Sequence, residues 1–171
     1  MSKGRDIRAF DYVNQPYARV RELLRDRSPE IFRGATKAAA SRAHTVASGL
    51  RVNIGGFEIG TDIDITVSGV EDAQAPVSGR PISSETTRLH LEWEAAKAPR
   101  LFPLMKGDLS AYALTATETQ LEFSGQYQPP LGVLGGAIDA LAGHRIAEAS
   151  VHRFVTDIAA YLREELAKGG A

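Results

Sequence analysis

His144 and Tyr127 are the two side chains with which this chain of 171 residues would perform acid–base chemistry. An imidazole titrates near neutrality and can take or give a proton. It acts as a general base when a substrate proton lies within hydrogen-bond reach. His144 falls between Ala140 and Ala147 at helical spacing, where a polar group on an alanine face would meet a ligand. The competing reading is a core histidine, bonded to a neighbouring strand or to Tyr127. The Tyr127 hydroxyl needs a partner when buried, and a ligand can supply one. No third group in the sequence orients either side chain, so no catalytic residue is assigned.

The other constellations are weaker. His44, His90 and His152 are scattered, without H-x-H or H-E-x-x-H spacing, so no metal site is expected. The chain has no cysteine, which removes disulfides and thiolate chemistry. Asp62 and Asp64 alternate with isoleucines, as on the solvated face of a strand. Ser84, Ser110 and Ser124 lack the G-x-S-x-G context of a hydrolase nucleophile. The stretch GVLGGAIDA spaces its glycines as Gly132-x-x-Gly135-Gly136. That matches neither the dinucleotide fingerprint nor a P-loop, and no cofactor is expected. Pro129 and Pro130 end a strand, since neither can donate to a ladder. The glycines after them read as a hinge that brings a helix close to a sheet.

Composition narrows the function classes. Hydrophobic residues make up 43% and charged residues 24%, with a net charge of -1, ordinary for one globular domain. A balanced charge gives no footprint for nucleic acid. The N-terminus has no signal-like apolar segment, and no run reaches the roughly 18 apolar residues of a membrane span. The expectation is a cytoplasmic single domain over residues 1–171, with an ordered core from about 6 to 168, as monomer or homodimer.

The elements that must position these residues follow from periodicity. IRAFDYV alternates, giving a first strand from about Asp6 to Val13. Asn14 and Pro16 start a helix through PYARVRELLRD, and Ser28-Pro29 starts a second, shorter one, PEIFRGA, that Gly34 can end. Val46, Leu50, Val52 and Ile54 then share parity, so a strand is expected over about 42–54. Gly55-Gly56 is a hairpin signal leading into FEIGTDIDITVSGV. EDAQAPVSGRPISSE reads as a connection, and TTRLHLEWEAA, MKGDLSAYALT and TQLEFSGQY as three further strands. From about Leu131 to Lys168 runs one long helix. Its stripe is alanine and His144 at first, then Val151, Val155, Ile158 and Leu162.

Strand, two short helices, an antiparallel sheet and a long C-terminal helix make an α+β protein: a curved sheet wrapped around the helix. The small N-terminal half of the helix stripe should leave an apolar cavity above the sheet. This order resembles the START-like (SRPBCC) superfamily, whose helix-grip fold is shared by Bet v 1 proteins, lipid-transfer domains and polyketide cyclase/dehydrase-like proteins. The segment from LFPLMKGDLSAYALT through GQYQPPLGVLGGAIDALAGHR to the C-terminal helix looks like bacterial members of the cyclase/dehydrase-like branch. The resemblance implies a cavity for a small hydrophobic or amphipathic molecule, and it carries no catalytic signature with it. His144, Tyr127, Trp93, Phe123, Tyr112, Met105 and Ala140 are the expected lining. Three functions stay open: a ligand carrier, a cyclase/dehydrase-like enzyme working through His144 and Tyr127, and a protein–protein module with a filled cavity.

Overall fold

Alternation of Ile7, Ala9 and Val13 with exposed Asp6, Arg8 and Phe10 makes β1 a strand with one dry face. The computed structural model describes residues 5–49, 63–76, 83–95, 104–128 and 140–169. Its elements are β1 (Arg5–Val13), α1 (Tyr17–Gly49), β2 (Ile63–Pro76), β3 (Ser83–Ala95), β4 (Leu104–Ala113), β5 (Thr119–Gln128) and α2 (Ala140–Lys168). The strands form an antiparallel sheet in the order β1-β5-β4-β3-β2. Both helices contribute to one core cluster with the inner face of that sheet. This is the helix-grip arrangement.

α1 holds two helical segments, as expected, joined by a kink at Arg27 (φ -124°, ψ 19°). Pro29 accounts for the break: it has no N–H to donate and its ring collides with the preceding turn. Arg27 then pins the kink to α2, donating to Glu165 at 3.0 Å. The second segment departs from expectation. Gly34 does not end it; the helix runs on to Gly49, through residues read above as the start of a strand over about 42–54. Alanine decides the matter. Ala35, Ala39, Ala40 and Ala43 are buried at spacings of three to four, and alanine has the highest helix propensity. The rest of that expected strand and the Gly55-Gly56 hairpin lie outside the described residues.

A second correction concerns the connection expected after Val70. Residues 71–76 continue β2, and Ser83 to Glu85 already belong to β3, so Glu71 pairs with Arg88 and Pro76 with Ser83. The register shifts between Val67 and Gly69, leaving Ser68 as an extra residue. A bulge of this kind reverses which face each later side chain takes. Asp72 would point outward by the parity of Ile65 and Val67. Instead it lies opposite Thr87 on the helix side and accepts a hydrogen bond from the Thr87 hydroxyl at 2.9 Å.

Two glycines face each other across β4 and β5. Gly107 pairs with Gly125, and a Cβ on Gly125 would lie 2.7 Å from the Lys106 carbonyl oxygen and 2.8 Å from the Phe123 ring. The Phe123 ring covers the bare backbone of both strands. At the free edge, the carbonyl of Tyr12 accepts from Arg163 of α2 and its N–H donates to Asp11. These contacts occupy edge groups that would otherwise be open to strand pairing.

Candidate functional site

The strands bring the inner face of the sheet to α2 through one register row. Trp93 of β3 lies opposite Met105 of β4, which lies opposite Tyr127 of β5. Trp93 and Tyr127 therefore share a face, two strands or about 10 Å apart, and both are buried. Phe123, four residues before Tyr127 on β5, packs edge-on against Trp93 with ring centroids 5.6 Å apart. The centre of this group is Phe154 of α2. Its ring lies 4.8 Å from Trp93, 6.5 Å from Phe123 and 6.0 Å from Phe32 of α1. These edge and offset geometries are the favoured ones for aromatic pairs.

Beside that cluster is a pocket where α1, β3 and α2 meet, lined by Thr36, Ala39, Ala40, Trp93, Ser150, Val151 and Phe154. Its space, counting the open mouth, is about 290 Å³; about 20 Å³ of it can hold the centre of a water molecule. The smaller figure is room for about one water or a methyl-sized group. The walls expose almost no polar surface although two of the residues carry hydroxyls. Thr36 donates to the carbonyl of Phe32 at 2.7 Å and Ser150 to that of Ile146 at 2.6 Å. Each hydroxyl is folded back on its own helix, and the carbon atoms of the side chain face the space.

Of the expected lining residues whose side chains are described, Trp93 alone lies in the wall of this pocket. Phe123 is spent in the aromatic cluster. Tyr127 lies further along, at the end of β5, where its hydroxyl meets Gly143 of α2; burial pushes its phenol pKa up, against a smaller opposing effect of Arg5. Tyr112 does not join the group. It has the opposite parity to the core residues Leu109 and Ala111, and its hydroxyl donates to Glu122 at 2.9 Å. Met105 and Ala140 have the backbone positions given above, and their side chains lie outside the described residues, as does the hinge at 129–139.

His144 lies on the α2 stripe, three residues before Ala147. Its Nε2 is 3.2 Å from Glu148 Oε1, one turn on, with the histidine side chain 25% exposed. Its Nδ1 is buried and has no hydrogen-bond partner among the described residues. His90 takes the outer face of the sheet instead, between Asp108 on Nδ1 and Glu71 on Nε2. Among the described residues no group of histidine and carboxylate side chains could hold a metal ion, and no helix is long and apolar enough to cross a membrane.

Sequence reasoning missed Phe154, Phe32, Thr36 and Ser150. Phe154 was within reach, since it lies between Val151 and Ile158 at spacings of three and four. The pocket wall on α1, formed by Thr36, Ala39 and Ala40, fell between the helix expected to end at Gly34 and the strand expected to begin at about 42.

No family model and no curated protein matches the chain. Three solved structures are similar in the course of the chain. The Zhui aromatase/cyclase from Streptomyces sp. R1128 is 16% identical, with 99% of each chain covered and a TM-score of 0.45. A hypothetical protein from Helicobacter pylori is 12% identical, covering 94% of this chain and 89% of its own, with a TM-score of 0.48. Norcoclaurine synthase from Thalictrum flavum is 11% identical, covering 87% and 86%, with a TM-score of 0.35. Overlays this loose carry neither ligand nor reaction across. The helix-grip assignment stands on the element order and strand order described above.

Proposed function

We propose that the protein binds a small hydrophobic or amphipathic molecule between its sheet and its helices. The observation that carries this reading is the apolar pocket at the junction of α1, β3 and α2, with Trp93 and Phe154 in its wall. Ligand sites are mostly apolar, concave and placed between elements that a rigid core holds fixed. Native mass spectrometry of protein freshly purified from cells tests it, with retention of a small molecule as the expected result. No retained mass, together with no change in melting temperature across a panel of fatty acids, sterols and polycyclic aromatics, would sink the reading.

A second reading adds chemistry of the cyclase/dehydrase kind, with His144 and Tyr127 as the acid–base pair. The Nδ1 of His144, unpartnered among the described residues, favours it, because a buried nitrogen of that kind is available to a substrate proton. The carrier is the simpler reading, since nothing among the described residues orients the imidazole toward the pocket.

A further inference from the structure

We infer that the pocket between α1 and α2 is a dry subsite that takes the apolar terminus of an amphipathic ligand, tail inward. The inference rests on the ligand-binding reading above and gives the ligand a direction. It comes from two properties of one space. The space of about 20 Å³ that a water-sized group can enter exceeds the roughly 10–15 Å³ that a single water requires. A water also needs two to four polar partners, and these walls offer almost none.

The two groups that could have served are engaged as donors, and their oxygens, still able to accept, show almost no surface to the space. A hydroxyl has one proton to give, and Thr36 and Ser150 give theirs to Phe32 and Ile146 on their own helices. Both residues are at most 8% exposed, so solvent does not compete for those bonds. What remains toward the space is Ala39, Ala40, Val151 and the rings of Trp93 and Phe154. Such a wall rewards a methyl or a chain end. It rejects a ligand hydroxyl, which would lose its hydration and find no partner. The polar group of an amphipath therefore stays at the other end of the ligand.

The position of a hydroxyl along one ligand tests this. Decanoate, 3-hydroxydecanoate and 10-hydroxydecanoate differ only in whether, and at which end, a hydroxyl is added. Trp93 is the chain's only tryptophan and lies in the pocket wall, so its emission reports occupancy directly. Decanoate and the 3-hydroxy acid are expected to bind within about threefold of each other, and the 10-hydroxy acid at least tenfold more weakly. Ala39→Leu fills the space and should weaken decanoate while narrowing its advantage over the 10-hydroxy acid to about twofold. Xenon offers a check that needs no variant: under pressure it should shift the amide resonances of Ala39, Ala40 and Val151. Equal losses for the two hydroxy acids, or no xenon shift at these amides, overturn the dry subsite and leave ligand binding standing. If none of the three acids changes Trp93 emission or the melting temperature, the dry subsite falls, and the ligand-binding reading falls with it only when the wider panel and the native mass spectrum are also blank.

Discussion

The hydroxyl of Tyr127 occupies the place that a side chain on Gly143 would fill: a Cβ there would lie 2.9 Å from the phenol oxygen. β5 and α2 approach each other this closely only because Gly143 has no side chain. Two effects oppose each other at this position. Alanine is favoured over glycine inside a helix by about 0.5–1 kcal/mol, while crowding a packed site costs about 1–3 kcal/mol. The ring is buried and cannot swing away, so crowding wins. Gly143→Ala should lower stability by about 1 kcal/mol in chemical denaturation. The same change in a Tyr127→Phe background, where the oxygen is gone, should be neutral or stabilising. A loss of equal size in both backgrounds would show that the hydroxyl is not what Gly143 accommodates.

Which parts of this arrangement were legible depends on the range of the forces that set them. Alternation along Leu89, Leu91 and Trp93 is a local pattern, and burial follows from it directly. The stripe of α2 was legible for the same reason. The bulge at Ser68 has no such signature, and a one-residue slip reverses every later parity. Hence the face that Asp72 takes does not follow from the parity of Ile65 and Val67. Around Val46 a period-two pattern competed with the helix propensity of the alanines at 38–40, 43 and 47, and propensity together with packing against α2 prevailed. Trp93 was found through strand parity, but the opposite wall belongs to α1, and no strand pattern could reveal it.

The network that Asp72 enters responds to pH. Thr87 gives its single proton to Asp72 at 2.9 Å, so in its 2.7 Å contact with Tyr17 the phenol must be the donor. Arg25 completes the chain from α1, paired with Asp72. Burial pushes the Tyr17 pKa up against the opposing effect of the Thr87 hydrogen bond; the carboxylates of Glu85 and Asp72 add to the rise, and Arg21 opposes it. Below the ordinary tyrosine pKa of about 10 the phenol is protonated in both folded and unfolded chains. Above it the unfolded chain releases the proton first, so unfolding becomes favoured and stability is lost as pH climbs through the folded value. Denaturation midpoints between pH 9 and 11.5 should fall more steeply for the natural chain than for Tyr17→Phe, and Tyr127→Phe should flatten the curve in the same sense. Parallel slopes in all three would rule out the two phenols as the cause.

His144 separates a ligand contact from a structural residue. A core histidine that closes a hydrogen bond should cost about 2 kcal/mol or more when truncated, through the lost bond and the space left behind. Here Nδ1 has no partner among the described residues to lose. The Nε2 contact with Glu148 spans one helical turn between two partly exposed side chains, an arrangement worth only about 0.3–0.5 kcal/mol. His144→Ala should therefore shift the denaturation midpoint by no more than about 1 kcal/mol. If His144 holds the polar end of the ligand, the same substitution should weaken decanoate, read by Trp93 emission, by about threefold to tenfold. His144→Gln, which keeps a hydrogen-bonding side chain, should recover part of that loss. A large fall in stability with unchanged decanoate binding would make His144 a core residue and remove it from the site.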